Sequence, residues 1–475
     1  MRVSDAATPH ASAQHGVLKR VLGPMDAAAL VVSNVIGVGI FTTPGIIALL
    51  SPAPGPMLAA WLVGGLLAFA GAISYAQLAA LRPHAGGEYV YLRAAFGPLA
   101  GFLTGWMSFV AGFSGAIAAG AVGFASYLSR YAPGMASDHP LLSVPLGLGS
   151  LDVSPRALVA IGLILILSLV HTRGLGPGRV VQNSLAGINL FALLVLIVGG
   201  FVFGRGATAH FHEAAGPVPP AAVHFGAWLV ALIPVMFTYS GWNAAAYVAE
   251  EVREPERNVP RALAGGTLLV IVLYLALNAL YLYAIPMAGM AGKPSAGDAA
   301  AEALFGPRGA NALVPIIMVA LAAGISAMIV AGPRVYFAMA RDGLFFPAAG
   351  RVHPRFHTPA ASILAQALWS SLLVLTGTFE QLLIYTGFAV VLFSAVATAA
   401  LFVLRSRPHD ERVPRWGYPV APALFIVASL AMLVSSVMRE PKPSAAGVGI
   451  MVAGVPLFFL FRHRHRSRPR AHQKL

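Results

Sequence analysis

The chain predicts an all-α integral membrane protein with twelve transmembrane helices, and three observations lead there. Of its 475 residues, 58% are apolar and only 10% charged, and the mean hydropathy is +0.77, which excludes an ordinary soluble globule. Charge-poor apolar segments fall near 26–50, 57–81, 97–129, 157–171, 180–204, 225–249, 261–285, 310–334, 359–379, 381–404, 417–437 and 445–461. About 20 residues rising 1.5 Å each cover the hydrocarbon core. With a cytoplasmic N-terminus, inward segments hold 23 of the 31 Lys and Arg and outward segments 7, with Arg334 left at the end of a span. Such a bias favours both termini on the inside of a cell (inner) membrane.

The N-terminal segment, 1–21, is polar and lacks the apolar core and cleavage site of a signal peptide, so the first span is expected to serve as the insertion signal. Spans one to five fill 22–205 and spans six to ten fill 225–405. Five is odd, so the second set enters the membrane from the opposite side and any repeat relating the two sets is inverted. Two further helices occupy 416–461, and a basic tail, "RHRHRSRPRAHQKL", closes the chain at 462–475.

The first span carries Gly37, Gly39, Pro44 and Gly45 inside an uncharged run. Glycine weakens a helix, an interior proline removes a hydrogen bond, and lipid offers no water in compensation. The sixth span, the counterpart of the first, has Pro234 early and Ser240-Gly241 at its centre. Matching breaks in both helices are the sequence pointer to a transport site between inverted repeats. Unwinding around Ile36 to Ile40 frees amides at the start of a half-helix, where a carboxylate is favoured. Carbonyls near Ile36 and from Phe237 to Ser240 can accept from an ammonium. A zwitterion is then held without a charged side chain. Gly64-Gly65 and Gly199-Gly200 are assigned to close helix packing instead.

"IGVGIFTTPG", "WLVGGLLAFAGAISYAQLAALRPHAGGEYVYLRAAFGPLAGFLTGW" and "FTYSGWNAAAYVAEEVREPERNVPRAL" resemble the amino acid–polyamine–organocation superfamily, most closely its L-type amino acid transporter branch and bacterial relatives. The resemblance runs from about Leu22 to Arg405. It implies the LeuT-type fold, with helices 1 and 6 discontinuous, alternating access, and amino acid substrates. Carried over by position, Ile36, Gly37, Val38, Gly39 and Ile40 look like the carboxylate site, and Phe237, Thr238 and Tyr239 like the segment facing the amine. Gly241, Trp242 and Asn243 match "GWN", with the Asn position near the site. The position of Phe237 carries an aromatic gate in relatives, and Trp242 is its expected companion; for both, plain interhelical packing is the alternative. Two departures stand out. Many bacterial relatives place a lysine bridging the first and eighth helices where this chain has Asn189, and Val38 replaces a small polar residue between the two glycines. The eighth span offers a coupling cation only Ser326, short of the oxygens that a hard cation prefers.

No ionisable residue is expected at the centre of a span: Asp26, His171, His224, Arg334 and Glu380 fall at ends, and Glu88 reads as peripheral. A cationic substrate would need a carboxylate, so a neutral amino acid moved by exchange or facilitated transport fits best. Alternatives are a proton-coupled symporter using Glu88 or Asp26, or a same-fold carrier of another organic cation or nucleobase, with Ser33, Asn34, Ser108, Asn243 and Ser326 as its polar groups. Glu250, Glu251, Arg253 and Arg257 suggest an inner gate or a solvated set of ion pairs, with Asn258 capping the seventh helix ahead of Pro260. Nothing converges as a catalytic site would, and no enzyme, cofactor or metal site is expected. His353 and His357 lack neighbouring ligands and read as solvated. The expected partners are the amino acid substrate and the lipid bilayer, which the basic tail meets, with no nucleic acid. The chain has no cysteine, which excludes a disulfide-linked subunit and leaves a monomer or non-covalent dimer.

Overall fold

The computed structural model describes residues 18–466 apart from 52, 138, 146–149, 215–220, 294, 378, 409–412, 414 and 440. The tail from 467 and the side chains of His224 and Glu380 lie outside the described residues. Helices stand at all twelve segments: Pro24–Val35 with Gly39–Leu50, Pro54–Leu81, Pro98–Leu128, Pro155–Thr172, Leu175–Phe203, Ala221–Thr238 with Ala244–Tyr247, Pro255–Ala284, Pro307–Arg341, Ala360–Thr376, Phe379–Arg405, Val420–Arg439 and Pro441–Arg466. Among the described residues, eight helices are long and apolar enough to cross a membrane, and the first pair, bent by 44°, makes a ninth. Trp228–Thr238, Ala360–Thr376 and Val390–Arg405 are the shorter apolar helices at the sixth, ninth and tenth places.

Proline opens many of these helices, where its missing N–H costs nothing. The seventh span starts earlier than expected, at Pro255. Asn258 therefore lies inside it, and its Nδ2 donates back to Arg253 O at 2.5 Å. The eighth helix runs on to Arg341, so Arg334 sits seven residues inside it rather than at its end. The twelfth continues to Arg466, taking the first basic tail residues into helix.

Counterpart spans pack on each other, second against seventh and third against eighth. The first half of span one lies against the fifth, seventh and eighth spans, and its second half faces the first half of span six. Small residues permit further close approaches: a Cβ on Gly64 of span two would come within 2.4 Å of Val235 of span six, and one on Gly200 of span five within 2.5 Å of Leu280 of span seven, whereas Gly199 faces open space. A buried aromatic cluster of Trp61, Tyr239 and Tyr274, with ring centroids 5.0 to 5.9 Å apart, stands beside the crossing of spans one and six. It positions the two breaks against each other.

Candidate functional site

The first break spans Ile36 to Val38. Among the described residues, the amides of Gly37, Val38, Gly39 and Ile40 have no backbone acceptor, and Phe41 N is the first to be bonded, to Val38 O at 3.0 Å. These are the orphan donors of a helix start, at its positive end. A Cβ on Gly37 would meet nothing within 4 Å, while one on Gly39 would lie 2.9 Å from Thr238 Oγ1. Gly37 therefore leaves space that no packing claims. Gly39 is needed for the approach of the two broken helices.

The second break runs from Tyr239 to Asn243, with Gly241 at φ +100. A side chain there would be strained and would also put its Cβ 2.6 Å from Asn34 O. The breaks are stitched together by side chains. Asn34 Nδ2 donates to Gly241 O at 3.1 Å, and the Thr43 and Thr238 hydroxyls lie 2.8 Å apart. Tyr274 OH is 2.9 Å from Val35 O and 3.4 Å from Thr238 O, bridging the ends of both half-helices. Phe237 O accepts from Ser240 N. Of the carbonyls expected to be free, Ile36, Tyr239 and Ser240 keep theirs without a donor among the described residues.

Phe237 is 54% exposed and Val38 38%, so the break is open rather than covered by an aromatic lid. Trp242, expected as a second gate, is 5% exposed and packs edge-on against Tyr75 and Phe425. Its contacts are those of an interhelical wedge on the second and eleventh spans. Asn189 is fully buried, and among the described residues neither of its side-chain polar atoms has a partner. Ser326 Oγ is 2.8 Å from His171 Nε2, so the hydroxyl expected to serve a cation already has a protein partner.

The end of the bundle bearing most of the basic loops is crossed by ion pairs and hydrogen bonds. Arg334 holds Glu251 through two bonds of 2.7 and 2.9 Å, at 2% and 0% exposure. Arg341 pairs with Glu250 at 2.9 Å, and Asp342 receives Arg93 and Tyr89 at 3.0 and 2.7 Å. The strand-like segment before span one joins this cluster, Val21 and Leu22 N donating to Glu251 O. The acidic residues after span six thus bind arginines of span eight. Arg253 has no part in these pairs, and Arg257 makes an exposed pair with Glu254 at 3.8 Å.

Glu88 is the largest departure from expectation. It begins the short helix Glu88–Phe96 that joins spans two and three, yet it is 7% exposed. Its Oε1 accepts from Tyr75 OH at 2.7 Å, Asn243 Nδ2 at 3.0 Å and Ser394 Oγ at 3.3 Å. Burial holds the carboxyl above the usual carboxylate range, against the opposing pull of those donors. Nothing in "HAGGEYVY" separates it from a solvated first-turn acid.

Comparison with known proteins bears on the whole chain. Residues 22–461 match the family model described as "Amino acid permease". The human "Large neutral amino acids transporter small subunit 2" is 30% identical over 472 residues, covering 96% of this chain and 83% of that protein. "Serine/threonine exchanger SteT" of Bacillus subtilis is 29% identical over 449 residues, 93% of this chain and 97% of that protein. The mouse "Asc-type amino acid transporter 1" is 28% identical over 453 residues, 93% of this chain and 81% of that protein.

Proposed function

Because this chain belongs to the amino acid permease family, we propose that it carries neutral amino acids across a cell membrane by alternating access, in exchange mode. Both termini lie in the cytoplasm, so the basic end with its Glu251–Arg334 clamp is the inner side, and the break is reached from outside. The chain works as a transporter without enzymatic chemistry. It acts as a monomer or non-covalent dimer, since no cysteine is available to tie it to a subunit.

The observation that carries this is the pair of facing breaks. Four free amides on one side suit a carboxylate, and unpaired carbonyls at Ile36, Tyr239 and Ser240 on the other suit an ammonium. Among the described residues no charged side chain is hydrogen-bonded to either set of backbone groups, so a net-neutral zwitterion suits it better than a cation. Asn189 at the expected lysine position and the engaged hydroxyl of Ser326 support exchange over ion-driven uptake. Relatives named for large neutral amino acids and for serine/threonine exchange point the same way.

Uptake of labelled neutral amino acids into proteoliposomes tests this directly. Flux should require amino acid inside and draw no driving force from an imposed pH gradient. Uptake into empty vesicles driven by the gradient would reject exchange in favour of proton symport.

A further inference from the structure

Taking the two breaks as the substrate site, we propose that Glu88 is a positioning residue that fixes the amide of Asn243, so that the second break presents the acceptor Oδ1, and no donor, to substrate. The group recognised is then an N–H or O–H of a neutral amino acid: its ammonium, or the hydroxyl of a serine- or threonine-like side chain.

The turn before Glu88 is built to insert it. Gly86 and Gly87 have φ of +116 and +51, and a Cβ on Gly87 would fall 2.5 Å from the Tyr247 ring. Gly86 N donates to Tyr247 O at 3.0 Å and Ala85 N to Glu250 Oε2 at 3.2 Å, so the turn is fastened to the second half of span six. Among the described residues, the carboxyl that enters has only neutral donors around it. Tyr75 of span two, Tyr91 of its own helix and Tyr247 of span six are the titratable groups facing it. The nearby ions are engaged elsewhere, Arg93 with Asp342 and Glu250 with Arg341.

An ionised carboxylate can only accept, so the Asn243 atom that meets it must be Nδ2. The same Nδ2 lies 3.1 Å from Tyr247 OH. Both amide protons are therefore used, and Oδ1 makes no hydrogen bond among the described residues. When Glu88 takes a proton, its new O–H can donate to Oδ1 instead, the amide is free to turn over, and Nδ2 faces the break. Protonation of one carboxyl thus exchanges an acceptor for a donor at the site.

Threonine exchange in proteoliposomes, measured from neutral to mildly acid pH, tests this. In the wild type, KM should rise about tenfold on acidification, the cost of one lost hydrogen bond to a charged or hydroxyl donor, while kcat holds. Glu88→Gln should raise KM at neutral pH and flatten its pH profile, and Glu88→Asp should restore the profile. Tyr75→Phe removes a donor to the charged form, so the midpoint should move to higher pH. A Glu88→Gln protein with the wild-type KM and pH profile would overturn the proposal. The side-chain amide resonance of Asn243 in 15N-asparagine-labelled protein supplies a reading without substrate. It should shift with pH in wild type and stay fixed in Glu88→Gln; a resonance unmoved by pH in the wild type also overturns the proposal, whether or not threonine is carried.

Discussion

The two broken helices solve one problem in opposite ways. From Ile36 to Ile40 the backbone is left bare: among the described residues the four amides of Gly37 to Ile40 have no backbone acceptor, and Gly37 is a glycine whose missing side chain faces open space. At Tyr239 to Asn243 the Tyr239 and Ser240 carbonyls stay free, but the turn around them is braced by Asn34, Tyr274, Thr43 through Thr238, and Glu88 through Asn243. Unpaired backbone groups away from water cost free energy, so a chain keeps them only where something else will pair with them. The bare break is where a carboxylate would supply that pairing. The braced break is where geometry must be held while the helices around it move.

The largest effect should come from cutting the ionic anchor beyond the braced break. Glu251→Gln leaves Arg334 charged and unpaired at 2% exposure, and breaking such a buried pair costs about 3–5 kcal/mol. Thermal unfolding of the purified protein should show it. Replacing both partners together, Glu251→Leu with Arg334→Met, should recover much of the loss, because no charge then remains buried. An unchanged midpoint in Glu251→Gln would mean that the clamp opens freely and braces nothing.

Next in size is a pair of alanine substitutions that separates the two breaks. Gly241→Ala must place a Cβ 2.6 Å from Asn34 O at a φ of +100, costing about 1–3 kcal/mol in overlap alone, and it should lower the yield and stability of folded protein. Gly37→Ala adds a methyl where no atom lies within 4 Å. It should leave the unfolding midpoint in place and raise KM for amino acid. If both variants lost stability alike, the contrast between a bare and a braced break would fail.

Much of this was legible in the sequence because glycine and proline are costly inside a membrane helix and so mark where its backbone opens. Helices at all twelve expected segments, and both breaks, follow from hydropathy and those residues. What escaped detection were pairings across the fold. Glu88 reads as a surface acid because the donors that bury it, Tyr75, Asn243 and Ser394, come from three other spans. Arg334 reads as a terminus because the apolar run stops there, yet the helix continues once Glu251 neutralises it. The π-helical turn at Ser108–Gly112 has no sequence mark at all; Tyr336 and Trp369 donate to the carbonyls of Ser108 and Val110 within it. Trp242 sits in a motif that suggests a gate, and its edge-on packing against Tyr75 and Phe425 is what the alternative of interhelical packing calls for.

The smallest expected effect tests the link between the breaks themselves. Thr43 and Thr238 share one hydrogen bond of 2.8 Å, and Thr238 Oγ1 also reaches Pro234 O at 2.9 Å. Since a hydroxyl has one proton, Thr238 donates to Pro234 O and Thr43 donates to Thr238. Thr43→Val therefore removes a donor and leaves Thr238 with its own bond intact, a loss of about 1 kcal/mol. Thr238→Val removes both bonds and leaves the Thr43 hydroxyl, 5% exposed, without its partner, so it should cost more. Unfolding midpoints of the two variants check the order. The reverse order would mean that Thr43 is the anchored member, and that the bare first break is held by the second through a contact other than this one.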